Sequence, residues 1–169
     1  MKRNLLFLSI LITTMLVITG CNVTKEQAID YAKETFETGI ATEPNVPNRE
    51  TDLFSYFLPP GLNVQEASEN NLILSRGNQI YIIFSNPAED SLSTVNYEQD
   101  REVEEKAILT ETYTDEEAFS YIIVAPQEDD EYKVIVGIGG EKGTTISNKA
   151  NIRSSVETII DVIKSVTYE

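Results

Sequence analysis

Two stretches of the chain repeat apolar residues every three to four positions, and the chain between them alternates or clusters apolar residues in short runs. Ala28, Ala32 and Phe36 recur every four residues, with Ile29 and Tyr31 beside them. That spacing predicts an amphipathic helix of about 14 residues. Thr24 and Gln27 form a capping box at its start, and Gly39 is the expected stop. At the other end, Ile152, Val156, Ile159, Ile160, Ile163 and Val166 fall on one stripe of a second helix. Ser147 or Asn148 is the expected cap of that helix.

Strand-like runs fill the middle. They cover residues 53–58, 62–67, 72–75, 80–85, 107–113, 119–125 and 132–138. Pro59-Pro60-Gly61 and Arg76-Gly77-Asn78-Gln79 punctuate them as turns. The acidic segments Asp115-Glu116-Glu117 and Gln127 to Glu131 are expected as hairpin tips at the same end of the sheet. Residues 40–50, with Pro44 and Pro47, are expected as a linker. Residues 88–105 are polar and acidic and are expected as a long exposed loop, with some structure near Val95 to Tyr97. The fold class this predicts is α+β: an antiparallel β-sheet flanked by an N-terminal and a C-terminal amphipathic helix.

The first twenty residues follow a different logic. Lys2 and Arg3 precede an apolar run from Leu5 to Ile18. That run is about 14 residues, short of the roughly 20 that span a bilayer. It fits the apolar core of an export signal. Ile18-Thr19-Gly20-Cys21 then resembles the lipobox of bacterial type II signal peptides. The resemblance implies cleavage between Gly20 and Cys21 and a covalent diacylglycerol on the Cys21 thiol, which would hold the chain at the outer face of the cell membrane. One acyl chain binds a membrane only marginally, whereas two give a lasting anchor. The expected organisation is a cleaved signal at 1–20, a lipid-anchored helix and linker at 21–51, and an α+β domain at 52–169.

Charge and composition narrow the chemistry. The net charge is −15, and loss of Lys2 and Arg3 with the signal would take it to −17. Such a chain repels nucleic acid. There is no histidine, which removes the commonest general base and metal ligand. Cys21 is the single cysteine, so no disulfide forms within the chain and a lipidated thiol leaves no thiol chemistry. Glycosidase grooves use aromatic platforms, and the chain has no tryptophan. Ser85 and the Lys164-Ser165 pair lack any nucleophile context.

Gly137-Ile138-Gly139-Gly140-Glu141-Lys142-Gly143 follows a strand but matches no phosphate loop, because Lys142 stands where a dinucleotide fingerprint needs glycine. It is expected as a flexible strand-to-helix connection. Glu128, Asp129, Asp130 and Glu131 put four carboxylates on one tip, a candidate for weak calcium binding, although the spacing matches no EF-hand loop.

The order of elements, with Phe57-Leu58-Pro59-Pro60-Gly61-Leu62 entering a turn and a closing helix ending in Ile163-Lys164-Ser165-Val166, resembles the PsbP/Mog1 superfamily. The resemblance spans residues 52–167 and implies an accessory, assembly or binding role rather than an enzyme. The functional expectation is therefore a membrane-tethered, non-enzymatic binding or accessory protein with an envelope protein as partner. Residues 88–105 and 137–143 are its expected contact surfaces. The alternative is a lipoprotein that binds a small ligand or a divalent cation through the acidic tips.

Overall fold

Thr24 opens the first helix, α1 (Lys25–Ala41), through the capping box read from the sequence. The Gln27 amide donates to Thr24 Oγ1 at 3.2 Å, and the Thr24 amide donates to Gln27 Oε1 at 3.0 Å. The computed structural model describes residues 23–168. The expected signal at 1–20, the cleavage point after Gly20 and the lipidation site at Cys21 lie outside the described residues.

Helix α1 does not stop at Gly39 but runs two residues further to Ala41. Gly39 serves helix packing instead: a β-carbon there would stand 2.8 Å from Ile160 Cδ1. Ala28, Ala32 and Phe36 are buried in the main core, so α1 packs on the domain.

Strands β1 (Arg49–Glu50), β2 (Phe54–Tyr56) and β10 (Thr167–Tyr168) form a small sheet in the order β1-β2-β10. The expected linker thus carries a short strand. The main sheet has seven antiparallel strands: β3 (Asn63–Ala67), β4 (Asn71–Arg76), β5 (Gln79–Ser85), β6 (Leu109–Thr114), β7 (Phe119–Pro126), β8 (Glu131–Ile138) and β9 (Glu141–Asn148). Their order is β3-β4-β5-β9-β8-β7-β6. Helices α2 (Val95–Val103) and α3 (Ile152–Ile163) complete the domain. The architecture is α+β, with the N-terminal and C-terminal helices packed over one face of an antiparallel sheet.

Three sequence expectations give way here. The Gly-rich segment is not a strand-to-helix connection. Gly139 and Gly140 make a tight hairpin, and β9 follows at once in the middle of the sheet. Strand β9 lacks an apolar signature because small residues face α3: a β-carbon at Gly143 would fall 2.3 Å from Ile159 Cγ2. Next along that face come Thr145 and Ser147, which join Gln79 and Ser155 in a buried hydrogen-bonded network. Neither Ser147 nor Asn148 caps α3, whose N-cap is Asn151. Asn148 instead ends the strand by accepting from the amides of Ala150 and Asn151.

The third concerns residues 88–105. They are not an exposed loop throughout but fold back over the second face of the sheet as α2.

Candidate interaction surface

The second face of the sheet is half covered. Register places Ile73, Ile82, Thr144, Ile135 and Ile123 in one row across strands β4, β5, β9, β8 and β7. Helix α2 lies over the β7–β8 half, where Tyr97 packs on Phe119 and Tyr121 with ring centroids 5.4 Å apart in both pairs. Ile123 and Ile135 are buried beneath this layer.

Polar contacts four residues apart fix α2 in place. Asn96 Nδ2 donates to the Gly139 carbonyl at 3.2 Å. Asp100 accepts from Tyr121 Oη at 2.6 Å and from Lys142 Nζ at 2.7 Å. Glu104, just past the helix, accepts from Lys133 Nζ at 2.6 Å. The Tyr121 hydroxyl is held far above its ordinary pKa by burial and by the Asp100 carboxylate, so it remains a donor.

The two segments expected as separate contact surfaces therefore pack on each other. Segment 86–91 presses against the Gly139–Gly140 turn so closely that a β-carbon at Gly140 would lie 2.6 Å from the Asn86 carbonyl oxygen. Glycine is required there for close approach, and at Gly139 also for a φ of +52°.

Beyond α2, the β4–β5–β9 half of this face is bare. Ile80, Ile82 and Ile146 are 44%, 48% and 39% exposed. Ile80 and Ile82 share the outward face of β5, and Ile146 stands on β9 next to Ile80. With Arg76, Lys133 and Thr144 they line a concavity of about 810 Å³. Its two cations are already engaged, Lys133 by Glu104 and Arg76 by Thr158 Oγ1 at 3.1 Å. An apolar floor with tied-down charges suits docking better than bond-making. In the sequence Ile80 and Ile82 mark only a strand-like run, not a surface. Their signal was the unbroken run Ile80-Tyr81-Ile82-Ile83, apolar on both faces where a strand with one wet face would alternate.

A second cleft, of about 570 Å³, opens at the far end of the sheet, between the end of α1, the β6–β7 turn and the end of α3. Lys164 Nζ donates there to the carbonyls of Gly39 and Ile40, at 3.1 and 2.5 Å, and to that of Thr42, so it caps the C-terminus of α1. Burial pushes Lys164 below its ordinary pKa. Glu141 accepts from Tyr168 Oη at 2.5 Å, and Tyr168 Oη and Ser85 Oγ are 2.6 Å apart. Burial raises the Glu141 carboxyl above the usual carboxylate range.

The acidic tips do not meet. The Asp115–Glu117 turn precedes β7 and the tip at Glu128–Asp130 follows it, so they stand at opposite ends of the sheet, contrary to expectation. Asp115 caps its own turn by accepting from the amides of Glu117 and Ala118, which holds its carboxyl below the usual range. In the other tip, Glu128, Asp129 and Asp130 form a short 3₁₀ turn before Glu131 begins β8. Asp130 accepts from Lys149 Nζ at 2.7 Å. Among the described residues, no three acidic or cysteine side chains gather as a metal-holding group. Among them also, no helix is long and apolar enough to cross a membrane. No protein-family model matches the chain, and a search of curated proteins finds no match.

Proposed function

We propose that this chain is a lipoprotein held by a diacylglycerol on Cys21 at the outer face of the cell membrane, where its domain acts as a non-enzymatic binding or accessory protein. The observation that carries the binding role is the bare half of the sheet, Ile80, Ile82 and Ile146, beside a half that the chain's own α2 covers. Exposed branched residues clustered on a rigid sheet mark a protein contact more often than a solvated face. The occupant is a protein partner with an apolar face and basic flanks. The net charge of −15, or −17 without the signal, favours a cationic neighbour and opposes a second copy of the chain. The resemblance to PsbP/Mog1 accessory proteins points the same way.

The alternative, a divalent cation on Glu128 to Glu131, has less support, because Lys149 already neutralises Asp130. A calcium site filled at 100 times its Kd would add about 2.7 kcal/mol to stability, a shift that thermal unfolding detects.

The test of the leading reading is cross-linking in host membranes, with the wild-type chain compared with Ile82→Glu. The expected result is a discrete partner adduct that Ile82→Glu abolishes while the unfolding temperature is unchanged. Adducts that survive Ile82→Glu unaltered would reject this surface, and turnover of an envelope substrate that depends on a named carboxylate would reject the non-enzymatic role. Cys21→Ala should abolish lipid labelling.

A further inference from the structure

Helices α1 and α3 run side by side in the same direction. The Arg153 guanidinium lies 5.7 Å from the centre of the Tyr31 ring, Gly39 packs on Ile160, and Lys164 caps the end of α1. At about 1.5 Å per residue, the six residues from Tyr31 back to Lys25 carry α1 roughly 9 Å past the level of Arg153, beyond the first turn of α3. That is the end of the sheet where β9 delivers the chain to α3 through Lys149–Asn151. The β4–β5 turn at Gly77–Asn78 is at the same end, since β5 begins where β9 finishes. So is the acidic tip at Glu128–Asp130, since Glu131 pairs with Asn148.

Cys21 precedes Lys25 by four residues, a reach of at most about 14 Å even when fully extended. Strand β5, with seven residues, spans about 23 Å. A lipid on Cys21 thus lacks the slack to pass along the sheet to its other end. Resting on the anchored reading above, we infer that the domain is seated on the bilayer by the end bearing Gly77–Asn78, Glu128–Asp130 and Lys149–Asn151. The surface this end meets is the lipid headgroup layer, and the Asp115–Glu117 end points away.

Two consequences follow from the same geometry. Ile80 and Ile82 stand two and four residues along β5 from Asn78, so the docking face begins roughly 7 Å from the membrane-facing end and continues to about 14 Å. It opens at headgroup level, where a partner that is itself at the bilayer meets it. The acidic tip faces the same layer, so an anionic surface weakens the seating through repulsion acting within the Debye length of about 8 Å at physiological salt, while the lipid still holds the domain at the bilayer.

The test uses the full lipidated chain in phosphatidylcholine vesicles that carry a headgroup-attached fluorescence quencher. A single cysteine is introduced as Asn78→Cys or as Glu116→Cys and labelled with a small fluorophore, Cys21 being blocked by its lipid. Both positions are exposed. Quenching several-fold stronger at position 78 than at position 116 is expected. Equal or reversed quenching on a chain whose mass includes the diacylglycerol overturns the orientation alone. A chain from the same cells whose mass shows no lipid overturns the anchored reading, and the orientation with it.

Discussion

The ring of Tyr121 lies across the α-carbon of Gly137, so close that a β-carbon on the glycine would stand 2.1 Å from Tyr121 Cε1. The pair is adjacent in register on β7 and β8, and it places the tyrosine hydroxyl under α2, where Asp100 accepts from it. Gly137→Ala must push the ring aside, and with it the seat of α2. The expected loss is about 1–3 kcal/mol, the range for overpacking a tight interior. Chemical denaturation measures it, and hydrogen exchange should show α2 losing protection before the sheet does. Unchanged α2 protection would show that the ring has another resting place.

Asp100 carries a distinct prediction. It is the common acceptor for Tyr121 Oη and Lys142 Nζ, and all three groups are largely shielded from water. Asp100→Ala strands a buried hydroxyl and a half-buried ammonium together. A loss of about 1.5–3 kcal/mol is expected, as for other hydrogen bonds to a charged group. Tyr121→Phe should cost less, because it leaves the Lys142–Asp100 pair intact. Denaturation of the two variants side by side decides it, and an equal loss would mean that the hydroxyl alone matters.

How far the fold could be read from the sequence depended on which face each element buries. Thr24 with Gln27, the stripe from Ile152 to Ile163, and the Gly77-Asn78 turn are local signals, and the structure keeps all three. Strand β9 escaped because its inward positions, Gly143, Thr145 and Ser147, are chosen for smallness beneath α3 and not for hydrophobicity. Helix α2 escaped because its anchors are Asn96, Asp100 and the following Glu104, polar side chains whose partners lie far along the chain. A period of polar anchors is invisible to a search for an apolar stripe. The bare half of the sheet was missed for a related reason. The outward Ile80 and Ile82 cannot be told from the inward Tyr81 and Ile83 until the register is known.

Gly39 makes a milder case than Gly137. Its missing β-carbon leaves room for Ile160 Cδ1, the far end of a side chain that can rotate. Alanine in a helix interior is favoured over glycine by about 1 kcal/mol, which offsets part of the clash. Gly39→Ala should therefore change stability by less than Gly137→Ala. Ile160→Val removes the offending methyl group, so the two substitutions should couple favourably by at least about 0.5 kcal/mol, as contacting residues do. A double-mutant cycle measures the coupling, and strict additivity would show that the two helices do not meet at this point.

Glu141 offers a prediction in pH. Burial raises its carboxyl above the usual range, and hydrogen bonds from Tyr168 and Ser85 oppose that shift only in part. The folded state thus holds the proton more tightly than the unfolded chain does. The stability linked to this group is present in full below the ordinary carboxylate pKa, and it is lost as pH rises through the raised value. Above that raised value the folded protein carries an ionised, poorly hydrated carboxylate. Glu141→Gln removes that charge while keeping an oxygen to accept from Tyr168 Oη. The variant should be more stable than the wild type at neutral pH, and its advantage should shrink to nothing once the pH falls below the ordinary carboxylate range. Denaturant midpoints across that interval give the answer. An advantage independent of pH would assign the gain to packing, and a loss at neutral pH would mean that the Tyr168 hydrogen bond needs the charge.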